Sequence, residues 1–82
     1  MEQTEIDTYI RKVGDRIKSL RKEQGMTQLD LATSSDIDVR QIQRLENGHT
    51  SATLKTLLKV TNGLNIGILD FFDFLKNENI KA

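Results

Sequence analysis

Apolar residues recur every three or four positions through this chain, and no proline interrupts the pattern. That spacing places them along one side of an α-helix, whereas a strand needs apolar and polar residues to alternate. Because 82 residues suffice for one core, we expect a single all-α domain over residues 1–82. The longest stretch predicts an amphipathic helix over about residues 5–24. Its inward side carries Ile6, Ile10, Val13, Ile17, Leu20 and Gln24.

Turn signals divide the rest of the chain into four more helices. Thr27 is a natural N-cap, with Asp30 in the capping-box position, for a helix over about 28–34. Asp38 caps a third helix over about 39–47, which Asn47-Gly48 closes.

The last two helices follow from the same signals. Ser51 or Thr53 opens a fourth helix, which Asn62-Gly63 ends, and a fifth covers about 67–76. We expect fraying only in the last five or six residues.

Composition excludes several classes of function. The chain has no cysteine and one histidine, so disulfides and thiolate metal sites are impossible and a zinc centre is not expected. No stretch approaches the ~18 apolar residues of a membrane-spanning helix, and the acidic start MEQTEID is unlike an export signal. No arrangement typical of a catalytic site is present, so we expect no enzyme, no metal and no cofactor. These features favour a cytoplasmic protein.

A formal net charge of zero hides a segregation of charge along the chain. Residues 11–22 carry six bases against Asp15, a local balance of +5, whereas residues 23–48 carry five acids against Arg40 and Arg44, a balance of −3. A basic face can attract a polyanion even when the whole molecule is neutral. A solvated helix face explains the same charges equally well at this point.

The two short helices within about 27–48 form a helix-turn-helix by their spacing, which alone is a weak signal. The identity of the residues makes the signal more specific. The second predicted helix begins with Thr27-Gln28 and contains Leu31-Ala32, the third contains Ile42 and Leu45-Glu46 and is followed by Gly48, and the fourth contains Leu54, Leu57 and Val60. With these residues the chain resembles the lambda-repressor/Cro-like family of DNA-binding proteins, also called XRE-type, over about residues 14–72. The resemblance implies a five-helix lambda-repressor-like fold.

The third helix has a polar outer face of its own. At 100° per residue, Ile42 and Leu45 mark the inward side, and the opposite side carries Arg40, Gln43, Arg44 and Asn47. Arginine can bind guanine through two hydrogen bonds and glutamine can bind adenine. Any short solvated helix is polar outside, but the resemblance favours a helix that reads the major groove.

The resemblance adds further expectations. Gln28, at the first turn of the second helix, is expected to hold a phosphate there, and Thr27 beside it joins the predicted DNA-binding residues. Val39 either touches a thymine methyl group or only covers the helix edge. Asn47 and the start of the fourth helix are expected at phosphates. Asp38 stands where many family members have Ser or Thr, so it is expected close to a phosphate and can weaken binding.

Arg21 and Glu46 are expected to form a structural ion pair. Each lies at the edge of the apolar stripe of its own helix. An unpaired charge there is unfavourable once it loses contact with water, so we expect the two opposite charges to pair. The resemblance places a similar Arg–Glu pair at these positions.

The fifth helix has more apolar surface than one buried face needs. Ile68, Phe71, Phe72 and Leu75 form the inward stripe, and Leu69 and Phe74 lie off it. Because exposed apolar residues indicate a partner surface and the family binds as homodimers, we expect Leu69 and Phe74 to take part in dimerisation.

Together these features predict a homodimer that binds double-stranded DNA sequence-specifically and regulates transcription, with repression as the expected sign. An antitoxin-type adaptor that binds a toxin, with DNA binding secondary, is the alternative, although the seven residues after Leu75 are few for a toxin-binding extension. A third possibility is a helical dimerisation module without salt-dependent affinity for DNA.

Overall fold

A computed structural model of the chain describes residues 1–76, which form only helices and the turns between them. The helical elements, in chain order, are α1 (Gln3–Glu23), α2 (Gln28–Ser35), α3 (Val39–Glu46), α4 (Leu54–Gly63), α5 (Ile68–Phe71) and a 3₁₀ turn (Phe72–Leu75). The all-helical prediction is confirmed for this part of the chain. The fraying expected at the last five or six residues lies outside the described residues.

The core takes one completely buried residue from each helix. These residues, all with 0% of their surface exposed, are Ile17, Leu31, Ile42, Val60 and Phe71. Leu20, Ala32, Leu45 and Leu64 complete the cluster. Ile6, predicted on the inward side, is 38% exposed, because the first turns of α1 extend past the core.

Side-chain caps fix where the short helices begin. The Thr27 hydroxyl accepts from the Asp30 amide at 3.0 Å, and the Asp30 carboxylate accepts from the Thr27 amide at 2.9 Å. This reciprocal pair is the predicted capping box. Thr53, and not Ser51, caps α4, where its hydroxyl accepts from the Thr56 amide at 3.1 Å.

Gly14 is the point at which α1 touches the end of α3. A side chain at this position would overlap the backbone carbonyl of Leu45 and press on that of Glu46. Glycine is therefore required for the close approach of the two helices. This contact sets the position of α3 against α1.

The prediction that Asn62-Gly63 ends the fourth helix is confirmed, but Gly63 does not form the left-handed turn that follows. Gly63 is the last residue of α4, and the left-handed turn falls at Asn65, with φ 56°. A side chain at Gly63 would overlap the Ser35 hydroxyl, so this glycine serves the contact between α2 and α4. Sequence alone does not distinguish a glycine needed for a turn from one needed for packing.

The fifth helix is shorter than the predicted 67–76. The α-helix ends at Phe71, and the chain tightens into the 3₁₀ turn. In a 3₁₀ turn residues three apart lie on the same side, so Phe74 follows Phe71 and does not point away from it. Their rings pack edge to face, with centroids 6.3 Å apart.

Candidate nucleic-acid interface

The polar residues predicted on the outer face of α3 are all exposed. They are Arg40, Gln43, Arg44 and Asn47. Ile42 and Leu45 are buried on the opposite side, at 0% and 3% exposure. The face is therefore held outward by the burial of the other side, and it offers two guanidinium groups and two amides to a ligand.

Asp38 is placed by its role as the N-cap of α3. Its carboxylate accepts a hydrogen bond from the Arg40 amide at 2.7 Å. A carboxylate is favourable there because the first amides of a helix have no partners within the helix. The acid at this position thus sets where α3 starts, and with it the position of Arg40.

Gln28 has a partner inside the protein. Its side-chain amide donates to the Glu46 carboxylate at 3.2 Å, which joins the first turn of α2 to the last turn of α3. The half-buried side chain is thereby oriented beside the exposed N-terminus of α2.

Glu46 also forms the predicted ion pair with Arg21. The Arg21 Nε and Nη2 groups donate to the two carboxylate oxygens at 2.7 and 3.0 Å, a two-point contact. Arg21 Nη1 donates to the Met26 carbonyl at 2.8 Å, in the turn before α2. The side chains are 9% and 1% exposed, so the pair is buried and does not lie at the boundary expected from sequence.

The environment of this pair favours its charged form. The hydrogen bond from Arg21 to Glu46 raises the pKa of Arg21 above its ordinary value, with desolvation opposing it. One guanidinium group therefore holds α1, the turn before α2 and the end of α3 together. That arrangement fixes the outer face of α3 relative to the start of α2.

Val39 and Gln41 border this surface in different ways. Val39 is half-buried and packs against the core cluster, which supports the reading that it covers the helix edge. Gln41, absent from the predicted set, lines an open groove of about 310 Å³ with Asp38, Arg40, Arg44 and Thr50. Gln41 lies next to the apolar stripe on the helical projection, and only the loop that follows α3 turns this flank into a groove wall.

The predicted dimerisation residues have different surroundings. Leu69 is 85% exposed, as its position off the stripe implies. Phe74 is half-buried and packs against Phe71 and the Arg16 guanidinium, whose carbon lies 5.6 Å from the ring centroid. The expectation that Phe74 is a free apolar residue is therefore wrong, because the 3₁₀ turn rotates it towards α1.

Neither a metal site nor a membrane span is found in the described part of the chain. Within residues 1–76, no three His, Asp or Glu side chains are grouped so that they could hold a metal ion. None of the helices there has the length and apolar character needed to cross a membrane.

Two proteins with similar sequences are a control protein and an HTH-type transcriptional regulator. Control protein C.MunI of Mycoplasma sp is 31% identical over 68 residues, which are 82% of this chain and 92% of that protein. The HTH-type transcriptional regulator DdrOP3 of Deinococcus deserti is 31% identical over 62 residues. The match covers 76% of this chain and 48% of DdrOP3, so this chain spans about half of that regulator.

Two solved structures with a similar fold are restriction-modification controller proteins. The restriction-modification controller protein C.Esp1396I, as a tetramer in complex with its natural 35 base-pair operator, matches with a TM-score of 0.77 and 38% identity over 80% of this chain and 87% of that chain. The controller C.AhdI from Aeromonas hydrophila matches with a TM-score of 0.77 and 29% identity over 79% of this chain and 98% of that chain.

The match to a family model agrees with these relatives. The model described as Helix-turn-helix covers residues 17–71, from the middle of α1 to the end of α5, which is more than half of the chain. The chain belongs to the XRE-type helix-turn-helix family.

Proposed function

We propose that this chain is a DNA-binding transcriptional regulator that recognises a specific double-stranded operator as a homodimer. The observation that carries the proposal is the exposed face of α3, on which Arg40, Gln43 and Arg44 stand opposite a completely buried side. Because the polar side of α3 is exposed and its apolar side is buried, the helix can lie in the major groove without moving any core residue.

Each exposed group has a role in the proposal. Arg40 and Arg44 read guanine, and Gln43 reads adenine, because their donors and acceptors match the edges of these bases in the major groove. Arg40 lies in the first turn of α3, where side chains reach base edges most easily. Gln41 borders the same groove and is added to the readers. Val39 is left at the helix edge.

The phosphate backbone is held on either side of α3. The N-terminus of α2 offers free backbone amides beside Thr27 and Gln28, and the N-terminus of α4 and the Asn47 side chain complete the set. The Gln28 side chain, held by Glu46, is positioned for its second amide hydrogen to reach a phosphate. These contacts place the protein on the duplex without reading its sequence.

A second copy of the chain is the partner that fits the exposed apolar residues. Leu69 on α5 is exposed, and so are Leu54 and Leu58, which lie one turn apart on the same side of α4. The relative C.Esp1396I is a tetramer on its operator, so self-association on DNA occurs within this fold. Leu69 is the central residue of the proposed interface, and the half-buried Phe74 contributes only the part of its ring that is left exposed.

The relatives narrow the kind of regulator. C.MunI, C.Esp1396I and C.AhdI are described as control or controller proteins, and the matches cover 92%, 87% and 98% of those chains. We place this chain with such controllers, acting on DNA in the cytoplasm. We propose that the protein represses transcription, because a dimer bound at a promoter blocks it by occupancy alone.

Selection of bound fragments from random duplex DNA tests the proposal most directly. The protein is incubated with a random duplex library, bound fragments are recovered over several rounds, and the enriched sequences are read. A two-fold symmetric motif, with half-sites about one helical turn apart, is expected. Enrichment of no motif, at a salt concentration where non-specific binding is suppressed, would refute sequence-specific recognition.

A further inference from the structure

Arg16 and Arg21, both in the basic segment of α1, contact different parts of the protein. Arg21 holds α3 through Glu46. Arg16 reaches the opposite way, to the C-terminal segment, because five residues along a helix turn the side chain by about 140°. Helix α1 thus holds both α3, the proposed reading helix, and the part of α5 around Leu69, the proposed dimer surface.

The contact of Arg16 with the C-terminal segment has three parts. Its Nε donates to the Phe71 carbonyl at 3.0 Å and its Nη2 donates to the Asp70 carbonyl at 3.2 Å. The Phe74 ring lies over the guanidinium, 5.6 Å from its carbon. The two carbonyls belong to successive residues where α5 gives way to the 3₁₀ turn, so the fork of the guanidinium fixes the direction of the chain there.

This contact lies directly beside the exposed part of α5. Leu69 precedes Asp70 by one residue and is 85% exposed, while Phe71 is completely buried in the core. The contact of Arg16 with Asp70 and Phe71 therefore ties the segment that carries Leu69 to α1, which also contacts α3.

We propose that Arg16 is a positioning residue that holds the α5 dimer surface at a fixed orientation to α3 and thereby sets which half-site spacing the dimer accepts. The inference rests on the proposed function, because it needs an operator-binding dimer. A dimer reads two half-sites only when its two α3 helices match the separation of successive major grooves. A dimer surface that moves relative to α3 tolerates other separations.

The test compares operators that differ only in spacing. Fluorescence anisotropy measures affinity for the selected operator, for versions with half-sites one and two base pairs further apart, and for an isolated half-site. The proteins are the wild type, Arg16→Ala, Arg16→Lys and Phe74→Leu. Lys18→Ala is the matched control, because it removes one positive charge from an exposed position on the same helix.

The expected result is a change in preference. Arg16→Ala should reduce the preference for the natural spacing by about tenfold or more, because it removes two hydrogen bonds from a charged group, each of which is worth at least about that factor, with half-site affinity unchanged. Arg16→Lys keeps the charge but loses the fork, and Phe74→Leu loses the ring, so each should give a smaller reduction. Lys18→Ala should keep the wild-type ratio between spacings, even if its affinity falls at both.

Different outcomes identify different errors. If the wild type binds the natural spacing preferentially and Arg16→Ala has the same preference, Arg16 is not a positioning residue, although the proposed function stands. If half-site affinity falls as much as operator affinity in Arg16→Ala, the residue supports the whole fold, and the inference is again wrong. If the wild type itself does not distinguish the spacings, the operator-binding dimer of the proposed function is wrong.

Discussion

At the scale of single residues, one carboxylate connects three helices. Glu46 accepts from Arg21 on α1 and from Gln28 on α2 while ending α3. A buried charge without its partner is strongly destabilising, whereas an apolar pair in its place is often tolerated. The position of the reading helix thus depends on both partners being present.

A double-mutant cycle measures this coupling. Arg21→Met or Glu46→Leu alone should lower the free energy of unfolding by about 3 kcal/mol, because each leaves a buried charge unpaired. The double variant should lose much less than the sum of the two. The measurement is urea unfolding of all four proteins, and a coupling below about 0.5 kcal/mol would show that the pair contributes little.

The capping box of α2 should be visible in a titration. Hydrogen bonds from the Thr27 backbone amide and then from its hydroxyl lower the pKa of Asp30 below its ordinary value. Because the folded state holds the carboxylate, this contribution to stability is complete above the pKa of the unfolded state and is lost as the pH falls through the folded pKa.

Thr27→Val tests the cause of that shift. Removing the hydroxyl should raise the pKa of Asp30 partway towards the ordinary value, because the backbone hydrogen bond remains. NMR titration of the side-chain carboxyl carbons in both proteins gives the pKa values directly. An unchanged pKa in Thr27→Val would mean that the hydroxyl does not contribute.

At the scale of helices, two glycines allow backbones to approach. Gly14→Ala and Gly63→Ala each place a methyl group against neighbouring atoms, a Leu45 carbonyl in one case and the Ser35 hydroxyl in the other. Each should lower the free energy of unfolding by about 1–3 kcal/mol, as overpacking does. Gly67→Ala is the control, because the added carbon meets only the Asp70 carboxylate at 3.8 Å.

Thermal unfolding followed by circular dichroism ranks these three variants. Gly14→Ala should in addition displace α3, since the carbonyl it presses against belongs to that helix. Equal midpoints for Gly14→Ala and Gly67→Ala would contradict the close packing of α1 against α3.

Much of this helical framework could be predicted from sequence because its signals are local. Caps such as Thr27 and Asp38 depend on residues two or three positions away, and the buried side of α3 follows from its own spacing. The spacing of residues shows that the outer face of α3 is polar. Only the family resemblance led us to expect that this face binds DNA. The pair of Arg21 and Glu46 could be predicted because both flank a buried stripe.

What could not be predicted depends on contacts between distant segments. The sequence predicts Gly63 only as a helix end, and its packing against Ser35 is apparent only in the structure. The helical pattern predicts an exposed Phe74, because it does not show that the chain tightens into a 3₁₀ turn after Phe71. The hydrogen bond between Arg16 and the Phe71 carbonyl joins residues 55 positions apart. Gln41 joins the candidate site only when the loop that follows α3 forms the other wall of its groove.

At the scale of the whole molecule, self-association is expected to depend on Leu69. Leu69→Glu puts a charge into the proposed interface and should shift the protein from dimer to monomer in sedimentation at micromolar concentrations. Leu29→Glu is the matched control, because Leu29 is also exposed but lies on α2. A monomeric wild type that remains monomeric on DNA would contradict the dimer, whereas a dimer unaffected by Leu69→Glu would contradict only the chosen surface.

The central claim is that α3 reads sequence while the start of α2 holds the backbone. Fluorescence anisotropy of Arg40→Ala and Gln28→Ala, on the selected operator and on a scrambled duplex at several salt concentrations, tests it most directly. Arg40→Ala should cost about 1–3 kcal/mol per half-site on the operator and relax one base position. Gln28→Ala should weaken both duplexes by similar factors and leave the salt dependence nearly unchanged, since it removes no charge. If Arg40→Ala instead weakens both duplexes equally and flattens the salt dependence, Arg40 binds phosphate and the assignment of base reading to it is wrong.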